Sequence, residues 1–350
     1  MACRATLVWL ISARRRLAAQ SRWLMNPLDA PAQRSRLIWI AVWAVLAAGL
    51  AYAASSLSWG EVLAVALRAD PLWLIFALAL NLTNAPLWAL CWRCLMGRKE
   101  RASMLPLTCI LAVVAAAIQA FSVLGGGATA FVLITGRLGL SRPAAASLLV
   151  LEGLTTGIVK VLLVGGALAI VPGAAMLHGV GAGLLGITAL GLVGLIIVSR
   201  SHSLLFKLAA RIGGRARIWI EALADWTSHL EPVRSPARLG GAVFFMLMRR
   251  VADGLAAWCV AIACGIPVGP EIIVLVIASI AVVTMVPVPA GNVGLYELAV
   301  VAAYQWVGVA PEVALAAALL QHAIALGSVL IPGALIMAFA PGMARPVAKP

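Results

Sequence analysis

The stretch VPVPAGNVGLYELAVV, residues 286–301, decides how the chain is read. It holds two prolines, two glycines, an asparagine and a carboxylate, yet long apolar sequence flanks it on both sides. A helix crossing the hydrocarbon core needs about 20 apolar residues in a row, and Pro287, Pro289, Gly291 and Gly294 interrupt this one near its centre. Backbone that leaves the helix at membrane depth survives only inside protein or beside a wet cavity. The break therefore marks a re-entrant segment lining such a cavity.

The rest of the chain agrees with a membrane setting. Of 350 residues, 63% are hydrophobic and only 11% charged, with a mean hydropathy of +1.06. A soluble domain of this length needs far more polar surface. The formal net charge of +14 does not indicate nucleic acid, because the basic residues are gathered in short inter-span segments. Seven lie before residue 37, four in 93–101, two at Arg137 and Arg142, seven in 200–238 and two at Arg345 and Lys349. The segments assigned to the opposite side (57–70, 172–177, 265–270 and 307–312) hold only Arg68. The positive-inside rule then puts both termini in the cytoplasm of a bacterial inner-membrane protein.

Apolar runs predict full spans at 37–56, 71–92, 143–171, 178–198, 240–264 and 313–339. Two regions, 104–138 and 271–306, do not divide into two spans each. Gly125, Gly126 and Gly127 break the first as the Pro/Gly cluster breaks the second. The expected fold is all-α and polytopic, with about six spans and two re-entrant hairpins. Span, hairpin and span occur twice in opposite orientation, an inverted repeat of the kind that builds transport sites. Residues 1–36 read as a basic cytoplasmic tail, 37–340 as one transmembrane domain and 341–350 as a second tail. Within 200–235, Leu204, Leu205, Leu208, Ile212, Ile218 and Trp219 alternate with Lys207, Arg211, Arg215 and Arg217. That pattern suits an amphipathic segment on the anionic cytoplasmic leaflet, or a plain basic connector.

Six charged residues fall inside the spans: Glu152, Lys160, Arg249, Arg250, Asp253 and Glu297. Each costs roughly 2.5–3.5 kcal/mol at a helix centre, so they must pair or face the interior. Arg249 and Arg250 precede Asp253 by four and three residues, within reach on one helix face. Either the three neutralise one another, or an arginine stays free for an anionic headgroup, which its planar fork suits. Glu152, beside Thr155 and Thr156, offers a polar face. Glu297 opens a half-helix after a glycine turn, where a carboxylate either caps amides or binds substrate. His322 is the one intramembrane histidine. Tryptophans near span ends (Trp39, Trp59, Trp73, Trp92 and Trp306) read as interfacial anchors. Cys91 and Cys94 form a CxxC without a second pair, and read as small apolar residues. No nucleophile elbow, zinc-protease helix, Walker loop or dinucleotide fingerprint occurs, so neither an enzyme nor a cofactor or metal is expected.

The segment from Val286 to Leu320 resembles the C-terminal signature of the lysylphosphatidylglycerol synthase transmembrane-region family: a Pro/Gly turn, Gly-x-x-Glu, a short helix and an Ala/Leu-rich last span. Pro287, Pro289, Gly291, Gly294 and Glu297 carry it. Gly125–Gly127, Arg137, Gly139, Ser141 and Glu152 resemble its N-terminal hallmark. The resemblance implies a flippase-like membrane domain handling lipids or lipid-linked headgroups, in a glycolipid, hopanoid or isoprenoid pathway. The chain departs from the pattern at Ala128, Phe131 and Gly153, and its 350 residues are not expected to include a synthetase domain. The site residues expected to meet substrate are Glu152, Arg249, Arg250, Glu297, Gly125, Gly126, Gly291 and Gly294. The partners expected are a membrane lipid or lipid-linked substrate and a lipid-modifying enzyme. Rival readings are an ion-coupled transporter of a small solute and a non-transporting subunit of a lipid-modifying pathway.

The charge asymmetry yields a labelling pattern. Cysteines introduced at Gly269 and Val309 should react with an impermeant reagent from the periplasm. Those at Gly139 and Ser235 should react only after permeabilisation. Labelling of Gly139 in intact cells would overturn the hairpin topology.

Overall fold

The computed structural model describes residues 58–97, 102–171, 178–201, 205, 207, 214–267, 269–285 and 291–339. The tails, the expected 37–56 span, Pro287 and Pro289 lie outside the described residues, as does most of the stretch from 202 to 213. All regular structure among the described residues is helical. Among the described residues, five stretches are long and apolar enough to cross a membrane: Pro71–Leu95, Met104–Phe121, Arg142–Ile170, His178–Arg200 and Pro311–Phe339. The chain is thus a multi-pass, all-α membrane protein. A further helix, Pro236–Ala263, has 28 residues and carries the Arg249-Arg250-Asp253 turn.

In chain order, α1 is Trp59–Arg68, α2 Pro71–Leu82 and α3 Asn84–Leu95. α2 and α3 form one span with a break at Thr83, whose N–H bonds Leu80 O. Asp70 opens the span as N-cap, its side chain accepting from Leu72 N at 2.9 Å, with Pro71 next. α4 is Met104–Arg137, α5 Arg142–Ile170 and α6 His178–Arg200. α7 is Gly214–Ser228, α8 Glu231–Arg234 and α9 Pro236–Ala263. α10 is Pro270–Val283, α11 Leu295–Gln305 and α12 Pro311–Phe339.

α4 runs over 34 residues, yet it is not one straight helix. A straight helix of that length would extend about 51 Å, and residues eight apart would lie about 12 Å apart. Instead, a Cβ on Gly126 would fall 3.1 Å from Ile118 Cα. The chain therefore doubles back between these two residues, and Gly126 is there because a side chain would strike the opposing arm. Both ends of α4 come to one end of the protein. Leu95, Met96 and Gly97, just before it, border the same cavity as Leu140 and Ala144, just after it. The hairpin expected at 104–138 is present, with its bend between Ile118 and Gly126.

The second hairpin is α10 and α11. At 14 and 11 residues they span about 21 and 16 Å, too short to cross a core of about 30 Å. They pack against each other and start and finish at the opposite end of the protein. Two contacts fix this polarity. Arg238, near the start of α9, donates to the carbonyls of Cys94, Leu95 and Met96 at the end of α3. At the other end of α9, Ala263 O accepts from Asp70 N at 3.1 Å. α9 is thus antiparallel to α2–α3, and the hairpins that follow α3 and α9 enter from opposite ends. Each hairpin also packs on the last span of the other half, α4 on α12 and α10 on α5.

Two apolar cores result. One gathers Trp92, Leu107, Ile134, Leu151 and Met246 near the Arg238 end. The other gathers Ala77, Leu275, Val300, Tyr304 and Ala317 near the Asp70 end. Lipid-facing surface lies outside them. α6 is mostly exposed along its length, presenting Leu185, Ile187, Leu190, Val193 and Ile197. α7 lies on the protein instead: Ala224 and Thr227 are buried, and Trp226 O accepts from the Ser147 hydroxyl at 3.0 Å. Trp92 corrects the expectation of an interfacial anchor, because it is fully buried. Trp59 and Trp306 are about half exposed.

α12 contains Pro332, which lacks the N–H that would bond Ser328 O. Next to it, Gly333 meets α4 so closely that a Cβ would sit 2.6 Å from Ala116 Cβ and 3.2 Å from Ala112 O. Gly333→Ala should therefore lower the thermal midpoint in detergent, by about 1–3 kcal/mol of overpacking. Gly166→Ala, where a Cβ meets nothing within 4 Å, should leave the midpoint unchanged or raise it, since alanine is the better helix former. Equal behaviour of the two variants would contradict the close α4–α12 contact.

Candidate functional site

The break at Thr83 puts Asn84 at the first position of α3, in mid-span, with its side chain toward α9. Asn84 Nδ2 donates to Asp253 Oδ1 at 2.8 Å, and its Oδ1 accepts from Arg249 Nε at 3.3 Å. Asp253 Oδ2 accepts from Arg250 Nη1 at 2.7 Å. The asparagine thus stands between a carboxylate and a guanidinium, bonding each in its proper sense. Arg249 and Arg250 do not share Asp253 as their spacing allowed. Arg250 takes the ion pair, three residues away along the helix. Arg249 is turned toward α3, where its guanidinium carbon lies 4.6 Å over the Trp88 ring.

Arg249 consequently has neutral contacts: Asn84, the Trp88 face and Met246 Sδ at 3.9 Å. Glu152 on α5 acts on it electrostatically, but no ion pair of 4.0 Å or less joins them. The indole N–H groups of Trp88 and Trp92 are buried without a hydrogen-bond partner. Trp92 is thus a core residue inside the bundle, which its position at a span end concealed. Lys160, two turns along α5, contacts Thr284 Oγ1 at 3.4 Å, at the end of α10.

Arg249 borders a cavity of about 160 Å³ between α2–α3, the first arm of α4, α9 and α12. Its polar lining includes Asn81, Asn84, Thr108 and Ser328, the residue whose carbonyl Pro332 leaves without a helical donor. At about 30 Å³ per water, it holds roughly five waters or one small anionic group. Of the eight residues expected to meet substrate, Arg249 alone borders this cavity. Arg250 is paired to Asp253, and Glu152 does not line the cavity.

The other expected residues form a second locus, where the hairpin turns meet. Gly291, Asn292 and Gly294 have φ of 71°, 61° and 89°. These are left-handed conformations that glycine adopts freely and asparagine tolerates. A Cβ on Gly291 would lie 3.1 Å from Leu326 Cδ2, and 3.6 Å from Gln119 Oε1 of the first hairpin. Gly125 and Gly126 serve the turn of the first hairpin itself, where Gly126 closes on Ile118. Glu297 caps its own half-helix, accepting from Gly294 N at 2.7 Å through Oε2. Its Oε1 lies 2.6 Å from His322 Nδ1, and His322 Nε2 lies 3.0 Å from Gly291 O. The imidazole stacks on Tyr296 with ring centres 4.2 Å apart. His322 is the partner that sequence did not assign to Glu297, although both were recognisable as intramembrane polar residues. Among the described residues, no group of three or more His, Cys, Asp or Glu is placed to hold a metal ion.

These contacts separate structural from exposed roles. Asp253→Asn should lower the unfolding midpoint in detergent, because it leaves Arg250 without its carboxylate. Arg249→Gln should change stability by no more than about 1 kcal/mol, since Arg249 gives up only neutral contacts. Comparable destabilisation by both variants would contradict the division of roles between the two arginines.

A chain built from two oppositely oriented span–hairpin–span units, with charge held at their meeting point, also has a recognisable sequence profile. Among protein-family models, the one described as Lysylphosphatidylglycerol synthase TM region matches residues 6–333. No curated protein and no solved structure matches the chain. The match takes in both hairpins and every polar contact of the two loci, so the chain belongs to the lysylphosphatidylglycerol synthase transmembrane-region family, membrane proteins linked to lipid metabolism.

Proposed function

We propose that this protein carries an anionic lipid headgroup between the leaflets of the bacterial inner membrane, as a transporter and not as an enzyme. The observation that carries this reading is Arg249: a guanidinium at mid-span, on the wall of a cavity, held by neutral groups and touching no carboxylate. An arginine left in that state is expensive in hydrocarbon unless an anion or water completes its shell. A phosphate-bearing headgroup suits it, because the planar fork offers paired donors. Glu152 supplies a counter-charge that lowers the cost of the empty state without occupying the fork.

The inverted halves supply the means of movement. In transporters of this general design, one half rocks against the other about a midplane site. Here Asn84 and Asp253 join the first spans of the two halves beside the cavity. The basic-residue distribution orients the Arg238 end toward the cytoplasm. Membership in a family linked to lipid metabolism supports a lipid over a small soluble substrate.

The test uses proteoliposomes containing fluorescent phosphatidylglycerol, with transbilayer movement followed by impermeant quenching. Arg249→Gln should slow movement at least about tenfold, roughly 1.4 kcal/mol of lost interaction, at equal amounts of folded protein. Arg249→Lys should recover part of the rate, since charge returns without the fork. Unchanged movement in Arg249→Gln would refute the headgroup role.

A further inference from the structure

The Glu297–His322 contact fixes a proton count. Gly291 O can only accept a hydrogen bond, so His322 Nε2 at 3.0 Å must carry a hydrogen. A second hydrogen must lie between His322 Nδ1 and Glu297 Oε1, 2.6 Å apart. It sits either on the ring, facing a carboxylate, or on the carboxyl, facing a neutral ring. Both descriptions hold one proton more than a neutral imidazole beside an ionised carboxylate. Without that proton, two lone pairs face each other at hydrogen-bond distance in a buried site; His322 is 5% and Glu297 12% exposed in their side chains.

This pair also closes a mechanical loop. Glu297 holds Gly294 N and His322 holds Gly291 O, so the two bonds grip both ends of the turn 291–294 and tie it to α12. We propose that Glu297 and His322 together form a proton-binding site that latches the turn of the second hairpin to α12, and that release of the proton frees the turn. The ligand is H⁺ itself: one proton binds to the pair and one leaves it, with no other bond made or broken.

The surroundings favour a pair that exchanges a single proton. Tyr296, stacked on His322, is the titratable neighbour from α11, with Tyr304 further along the same helix. Asp253 of α9 acts on Tyr296 and is itself paired to Arg250. α10 contributes Glu271, which lies in its first turn, at the end away from the hairpin tip. α4 contributes Gln119, which does not titrate; its Oε1 is buried without a hydrogen-bond partner and lies next to the Gly291 turn. α12 contributes Gln321, next to His322, facing the Tyr296 hydroxyl. The freed turn would move against the tip of the first hairpin, so the proton state of one half is felt by the other. As part of a transport cycle the latch rests on the lipid-carrier reading above; as a proton site it does not.

The experiment is hydrogen–deuterium exchange of the purified full-length protein in detergent across a pH series, with rates corrected for intrinsic exchange. In wild type, exchange of segment 291–298 should rise at least about tenfold from acid to alkaline pH, the loss of about one charge-assisted hydrogen bond. Glu297→Gln should stay protected throughout, because its amide donates to a neutral Nδ1 and its carbonyl still accepts from Gly294 N. Glu297→Ala should be unprotected throughout. A wild-type profile flat with pH, or a Glu297→Gln profile that still follows the wild type, would overturn the inference. A titrating latch in a protein that moves no phosphatidylglycerol would overturn the lipid-carrier reading and leave the proton site standing.

Discussion

Hydrocarbon cannot satisfy a hydrogen-bonding group, and the whole architecture answers to that constraint. Wherever a helix stops inside the bilayer, its open amides and carbonyls must be met by protein. The second hairpin leaves the helical ladder at Thr284 and resumes it at Leu295. Glu297 and His322 take up the groups at 294 and 291. At the break after Leu82, Thr83 N and Oγ1 both donate to Leu80 O, and Asn84 beside it carries the side-chain bonds to Asp253 and Arg249. Both polar loci thus stand where a helix is interrupted, and each joins the two halves of the repeat.

The same constraint explains how the charges are arranged. Arg250 and Asp253 meet directly, while Glu297 meets His322. Glu152 and Arg249 do neither, and act on each other only electrostatically. A direct Glu152–Arg249 bond would fill the guanidinium fork and leave the cavity with an inert wall. Their separation keeps the attraction and leaves the fork open.

Much of this was legible in the sequence because its signals are local. Glycine triplets, the Pro/Gly turn and the basic clusters mark hairpins and ends without knowledge of what packs where. What stayed hidden depends on helix rotation. Asp253 lies in reach of both arginines by spacing, and only the position of α3 decides that Arg249 turns toward Trp88. Trp92 sits at a span end, where tryptophan commonly meets the interface, but α4 and α5 cover it. The Glu297–His322 contact joins residues 25 apart across a loop and a second helix, and no periodicity connects them.

The Asn84–Asp253 bond joins residues 169 positions apart. During synthesis at roughly 5–20 residues per second, Asn84 precedes its partner by about ten to thirty seconds. Arg238, which closes the carbonyls at the end of α3, arrives nearly as late. For that interval the first half sits in the bilayer with its break open and Glu152 unopposed. A nascent first half is therefore an incomplete membrane object, exposed to insertion chaperones and membrane proteases until α9 emerges. Truncations that end before α9 should be short-lived in the cell for this reason, whatever the intrinsic stability of their individual helices.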